Sequence, residues 1–207
     1  MIRSPQENPD IMSWQDINRE EIECRRDRLF DSFGDAPVHG RHDTPDTDRF
    51  EEWIEMSKAG YIGSAYALVR RSPDQLPPLT ESMGDVGEER ERVLLTLGRG
   101  GSKWGVPGGG QEADKTMDTT ARREVSEEAG ITILLREINH VRHEIATCEG
   151  YDERLHVLRV FFQADYQNGS ITIQSSELNG AAWFADPPCV ERLHPAIQRL
   201  LGKQDSK

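Results

Sequence analysis

Residues 107–131 read PGGGQEADKTMDTTARREVSEEAGI, and the fold turns on how this stretch is read. Three glycines lead through a short acidic loop into a helical pattern. Thr116 is placed as an N-cap, Gly130 as a left-handed C-cap, and Met117, Ala121 and Val125 recur every four positions as one buried stripe. The opposite face carries charge. Glu124 and Glu128 are four apart and Glu124 and Glu127 three apart, so three carboxylates project from neighbouring turns. Like charges so placed destabilise a helix unless something neutralises them. Clustered hard oxygen ligands suit Mg²⁺ or Mn²⁺, which would also bridge phosphate oxygens; taken alone, the glutamates read better as a solvated acidic face. Arg123 is placed to orient one of the carboxylates.

In order and spacing the stretch resembles the signature of the Nudix hydrolases, the MutT-like superfamily: G-x5-E-x7-R-E-U-x-E-E-x-G-U, with U aliphatic. On this chain it runs Gly109, five residues, Lys115, seven residues, then Arg123, Glu124, Val125, Ser126, Glu127, Glu128, Ala129, Gly130 and Ile131. Eight of the nine specified positions agree, which is far more specific than a lone glycine motif. The departure is Lys115, where the family has a glutamate that belongs to the network around the motif arginine and the metal. A cation just before a helix N-terminus costs roughly 0.3–1 kcal/mol when exposed. Glu112 and Asp114 stand close enough in sequence to compensate.

The resemblance implies a site as well as a fold. Glu124, Glu127 and Glu128 would be metal ligands, the carbonyl of Gly108 a further one, and Arg123 the residue that orients a glutamate. Several family members take an extra ligand or catalytic base from a glutamate shortly before a Trp of a late strand. Glu177, six before Trp183, fits that place, with Glu127 and Glu128 as the next candidates for the base. Glu144, Glu149, Asp152 and Glu153 compete with it. The implied fold is α/β, a Nudix-type α/β/α sandwich with a mixed β-sheet over residues 61–202, preceded by an N-terminal helical extension, residues 1–60, and followed by a tail, 203–207.

Composition bounds the rest. A chain of 207 residues suits one domain of ordinary size with an added segment. With no apolar run of membrane-spanning length and no secretory leader pattern, the expectation is a soluble cytoplasmic protein. Cys24, Cys148 and Cys189 are odd in number and far apart; they form neither a disulfide framework nor a zinc spacing and are expected as small, partly buried side chains. The formal net charge of -12 repels nucleic-acid phosphates. Lysine is scarce beside arginine, a balance that resembles salt-adapted proteins and that a GC-rich genome would also produce.

Along the chain, residues 1–12 carry little apolar content. Ser13 to Phe33 reads as a helix capped by Ser13, with Trp14 and Ile17 opening its apolar face, and Asp35 to Asp48 as a loop in which His39 and His42 face solvent. A second helix spans about Arg49 to Lys58. The aromatic faces of these two helices pack on the core, or else form a homodimer interface or a lid. Tyr61 to Arg71 and Arg92 to Leu97 are strand candidates separated by a long polar loop. Ile131 to Ile145 and Leu155 to Phe162 follow as strands, with His140 and His143 facing solvent or a local partner. Asn168-Gly169 reads as a turn, Ser170 to Ile173 as a short strand, and Val190 to Leu201 as a closing amphipathic helix.

The function implied is Mg²⁺- or Mn²⁺-dependent hydrolysis of a nucleoside diphosphate linked to another moiety, an ADP-ribose-like sugar or an NTP, by water attack at phosphorus. Substrate-binding residues are not specified by the sequence. Ala146, Thr147 and Cys148 stand where substrate-specific downstream motifs would be. Two alternatives stay open: a catalytically weakened nucleotide-binding or regulatory module, for which Lys115 is the motive, and an enzyme acting on a non-nucleotide diphosphate such as an isoprenoid or an inositol polyphosphate. The acidic surface argues against the most highly charged of these.

Overall fold

The protein is described by a computed structural model for residues 14–61, 63–75, 81–83, 90–112 and 114–201. Ser13 and the residues before it, most of the loop after residue 75 and the 203–207 tail lie outside the described residues. In chain order the elements are β1 (Gln15–Ile17), α1 (Arg19–Phe33), β2 (Val38–Asp43), α2 (Thr47–Lys58), β3 (Gly63–Arg71), β4 (Ser82–Met83), β5 (Arg92–Gly98), β6 (Trp104–Gly105), β7 (Gly108–Gly110), α3 (Met117–Ala129), β8 (Ile131–Ala146), β9 (Glu153–Gly169), β10 (Leu178–Phe184) and α4 (Pro195–Gln198).

Among the described residues the strands form one mixed sheet in the order β2-β8-β9-β3-β5-β10-β4, with β1 on β9, β6 on β5 and β7 on β3. Side-chain alternation along β3 and β9 sorts its two faces. Ala65, Ala67, Val69, Leu158, Val160 and Phe162 point to the face covered by α1 and α3, whose Ile22, Leu29, Met117, Ala121 and Val125 complete that core. The alternate residues Leu68 and Phe161 point to the other face, where Phe184, Leu193, Ile197 and Leu200 cover them. There α2 sets Phe50 and Ile54 against Leu155 and Val157. The result is the α/β/α sandwich with a mixed sheet.

The signature helix forms as its caps dictate. The Thr116 hydroxyl accepts from the Thr119 N–H, and Gly130, at φ 69, turns its N–H onto the Ser126 carbonyl. Asp46 caps α2 in the same way, accepting from the Arg49 N–H at 3.0 Å.

Four expectations are corrected. The first helix does not begin near Ser13: Asn18, at φ 65, breaks the chain, and Gln15–Ile17 pairs in parallel with Glu153–Leu155. Asp16 locks that pairing, accepting from Arg154 Nε at 2.8 Å and from Arg19 at 3.2 Å. The stretch read as a loop, 35–48, contains β2, which pairs in parallel with Val141–Ala146. Its polar, glycine-containing sequence suits an edge strand that must not recruit another chain. The N-terminal extension is therefore not purely helical. Ser170–Ile173 is no strand; β9 runs on to Gly169, and the N–H groups of Thr172 and Gln174 reach the Ala129 and Glu128 carbonyls, closing the unsatisfied end of α3. Finally, the closing helix is broken. Val190–Arg192 is a single 3₁₀ turn, Leu193 is extended, and Pro195 starts the four-residue α4, because His194 must be extended before a proline. The apolar spacing survives this break, since Leu193, Ile197 and Leu200 are all buried. Cys148 is buried, but Cys24 and Cys189 are exposed.

The closest backbone approach in the sheet is at Gly63, where a Cβ would lie 1.8 Å from the Leu158 carbonyl oxygen. Gly63→Ala is expected to cost about 2–4 kcal/mol. Gly40→Ala on β2, where a Cβ meets nothing within 4 Å, is expected to change the unfolding free energy read from urea titration by no more than about 0.5 kcal/mol. Equal urea midpoints for the two variants would contradict the parallel β3–β9 register.

Candidate active site

The signature helix lies on one face of the sheet, yet its carboxylates reach round to the other. They do so past β7, whose three residues are all glycine. A Cβ on Gly109 would lie 2.5 Å from Glu124 Oε2, and one on Gly108, at φ 148, only 2.3 Å from the Ala65 carbonyl oxygen. The side-chain-free edge is what allows Glu124 and Glu128 to tuck in, at 7% and 9% exposure.

Few groups answer for these two charges. Arg123 Nη2 donates to Glu124 Oε1 at 2.6 Å and to the Gly110 carbonyl at 3.0 Å, while Nη1 donates to Glu127 at 2.7 Å. Glu128 Oε2 accepts from the Gly108 N–H at 3.0 Å. Burial, followed by the charges of Glu124 and Glu177, pushes the Glu128 carboxyl up to about 7, against the pull of that N–H. Burial also raises Glu124, with Glu127 and Glu177 adding to the rise and Arg123 opposing it.

The sequence-predicted residues are thus brought together unevenly. Gly108, Glu124 and Glu128 meet at the glycine edge. Glu177, in the turn before β10, is near enough to raise both buried glutamates, and its own carboxylate accepts from Gln174 Nε2 at 3.1 Å. Glu127 turns outward to Arg123. Among the described residues no three His, Cys, Asp or Glu side chains already converge as a metal cage.

Lys115, the departure from the signature, does not enter this site. It lines a separate groove of about 580 Å³ between α1 and the start of α3, together with Glu21, Asp31 and Asp118. Glu112 stands in the network instead, with Oε1 3.7 Å from Arg123 Nη1.

Glu128 also lines a cleft of about 600 Å³ on the second face of the sheet. Tyr66 and Phe161 line it as stacked rings with centroids 5.0 Å apart, and buried His140 stacks on Phe161 at 4.4 Å. Six cations line the cleft, Arg41, Arg49, Arg99, Lys103, Arg142 and Arg159, against the carboxylates Asp43, Glu128 and Glu144. On a chain of net charge -12 this is a local reversal of sign, so the acidic surface is no argument against a highly charged substrate. Sequence reasoning did not single out these cations. The available signal was that Arg142 and Arg159 fall among the apolar residues Val141, Leu158, Val160 and Phe161 of two long strands, where they pair in register.

The model of the NUDIX domain family matches residues 86–186, which span this glycine edge, α3 and the turn bearing Glu177. This part of the chain, residues 86–186, is similar to the NUDIX domain. The solved structures it resembles include a MutT NUDIX hydrolase from Burkholderia pseudomallei, at 18% identity over 69% of this chain and 96% of that one, with a TM-score of 0.43. An ADP-ribose pyrophosphatase from Streptococcus suis matches at 16% identity over 70% and 93%, with a TM-score of 0.40. A NUDIX-family hydrolase from Clostridium perfringens matches at 13% over 68% and 93%, with a TM-score of 0.46. At these identities and scores nothing about substrate follows. No curated protein matches the chain. Among the described residues no helix is long and apolar enough to cross a membrane.

His140 gives the cleft floor a pH signature. It is buried on Phe161, with Nδ1 2.8 Å from Asn139 Oδ1, and burial, then His39, Arg142 and Arg199, lowers it to about 4. Between the ordinary histidine value of about 6.5 and 4 the unfolded chain binds a proton that the folded one refuses, so this residue withdraws stability as pH falls through that window. Urea midpoints of wild type and His140→Phe should therefore diverge on acidification, the wild type losing about 1–2 kcal/mol more between pH 7 and pH 5. Parallel curves would show that His140 is not held neutral.

Proposed function

We propose that this Nudix domain hydrolyses a nucleoside diphosphate linked to a further moiety, with Mg²⁺ or Mn²⁺ held at the glycine edge. The observation that carries the reading is the pair of buried carboxylates, Glu124 and Glu128, one helical turn apart and answered by one guanidinium and one N–H. Such a pair is costly unless a cation joins it. Oxygen-only donors favour a hard divalent ion.

A divalent ion there would offset the charge of the diphosphate, polarise phosphorus and lower the pKa of a bound water. The residues of the chain supply the rest. Arg123 holds Glu124 in place, and Glu127 would have to leave Arg123 to join the ligands. Glu177 is the first candidate to take the proton from the attacking water, with Glu127 and Glu128 behind it. Attack at phosphorus breaks one phosphoanhydride bond and releases two phosphorylated products. The cations of the cleft support a polyanionic substrate, and Trp53 and Tyr66 offer aromatic surface to its remaining part.

The binding-module reading loses its motive with Lys115 outside the cleft. A non-nucleotide diphosphate stays as the second reading, because the basic cleft would accept one equally well. A panel of ADP-ribose, NTPs, isoprenoid diphosphates and inositol polyphosphates separates the two.

The test is turnover on that panel with and without metal. Glu124→Gln and Glu128→Gln should each lower kcat/KM by roughly 100-fold or more. Mg²⁺ at about 100 times its Kd should stabilise the wild type by about 2.7 kcal/mol in thermal unfolding and should not stabilise the double variant. Metal-independent turnover, or full stabilisation of the double variant, would refute the site. Lys115→Glu, which restores the family residue, should change kcat/KM only about twofold, the scale of a surface substitution. A large gain would show that Lys115 does act on the metal site.

A further inference from the structure

The cleft is longer than a diphosphate needs. Across the sheet from the carboxylates, Gly108 lies on β7, Tyr66 on β3, Arg159 on β9 and Arg142 on β8, each strand hydrogen-bonded to the next. Three strand spacings place the backbone of Arg142 about 14 Å from the glycine edge. Both arginines are anchored at this distance by Glu144 on β8, and Arg159 reaches back only as far as Ser64 and Tyr66 on β3.

There the charge is under-answered. Buried Glu144 serves two guanidiniums at once, with Arg142 Nε and Arg159 Nε each at 2.7 Å. Arg159 Nη1 also donates to Ser64 Oγ at 3.1 Å and Tyr66 Oη at 3.3 Å. Arg142 Nε, though close to Glu144, is buried without a hydrogen bond of acceptable geometry. One carboxylate against two guanidiniums leaves a positive charge. Across from them, β2 brings Arg41 opposite Glu144, paired with Asp43 at 2.9 Å. The surroundings register the excess: burial, then Arg142, Lys103, Arg159 and Arg41, lowers His194, which lines the same cleft. Beside the arginines a pocket of about 140 Å³ under α2 sets Trp53, Tyr61, Leu155 and Val157 next to the charged Asp43, Arg49, Glu144 and Arg159.

We propose that Arg142 and Arg159, flanked by Arg41, form a second anion subsite that holds a phosphomonoester on the part of the substrate remote from the scissile diphosphate. The proposal rests on the cleft being the substrate site proposed above, and it narrows the substrate to nucleoside diphosphate derivatives bearing an additional phosphate. Arg41 lies outside the residues matched to the family, 86–186, so this wall of the subsite belongs to the N-terminal segment.

The test has a binding arm that needs neither metal nor turnover. Metal-free protein is titrated calorimetrically with AMP and with adenosine 2′,5′- and 3′,5′-bisphosphates at low and high salt. At least one bisphosphate should bind about tenfold more tightly than AMP at low salt, with the margin shrinking in high salt. Arg142→Gln should bring that ratio near one. Because Arg142 is packed against Glu144 and its loss can disturb folding, Arg41→Gln, at a guanidinium 53% exposed, is measured beside it and should shrink the ratio as well. In the turnover arm, kcat/KM for NADPH over NADH and for coenzyme A over dephospho-coenzyme A should favour at least one phosphorylated member about tenfold in the wild type and fall in both variants. Equal binding of AMP and both bisphosphates, or a ratio unmoved in both variants, overturns the subsite. Absence of turnover throughout overturns the hydrolase reading alone, and the binding ratio still decides the subsite.

Discussion

Two carboxylates buried one helical turn apart set the terms for the structure around them. Glu124 and Glu128 could be solvated on an ordinary surface helix. Here they are packed against a strand edge with no side chains, and much else follows from keeping them there. The three glycines of β7 admit them, Arg123 and the Gly108 N–H hold them, and Thr116 and Gly130 fix where the helix begins and ends. Burial of like charges in this way costs stability, and the Glu128 carboxyl, raised to about 7, is the measure of it. On the function proposed above, divalent metal binding would turn that cost into function.

The second organising feature is the sheet that carries the cleft. Its two faces are sorted by strict alternation along β3 and β9. One face is mostly apolar and takes α1 and α3, with Arg71 and His156 as buried exceptions; the other interrupts its apolar positions with Arg142, Glu144 and Arg159. The N-terminal segment adds β1 and β2 to this sheet by parallel pairing and sets α2 over the cleft. Arg41, Arg49 and Trp53 thereby face the same space as Glu128, although they precede it by 75 residues or more.

Local signals were legible and tertiary ones were not. The caps, apolar stripe and charged face of α3 are all contained within fifteen residues, so the helix and its carboxylates could be read directly. The long strands β8 and β9 announced themselves by apolar content in the same way. By contrast, Gln15–Ile17 has helical spacing with Trp14, and its strand state comes only from Glu153–Leu155, far along the chain. Val38–Asp43 has poor intrinsic strand preference and is a strand because β8 offers it an open edge. Val190–Leu201 keeps its apolar spacing while Pro195 prevents the continuous helix that the spacing suggested. Lys115 was the single mismatch in the signature, and its direction, away from the carboxylates and into the groove beside α1, is a property of the loop that spacing could not reveal.

The central claim is that Glu124 and Glu128 are buried in order to hold a divalent ion. Diffraction from crystals soaked with Mn²⁺, recorded at the manganese absorption edge, tests it without any assumption about substrate. The account predicts an anomalous peak within bonding distance of both carboxylates, with Glu128 drawn from the Gly108 N–H toward the ion. A peak elsewhere on the acidic surface, with Glu124 still on Arg123 and Glu128 still on Gly108, would contradict it.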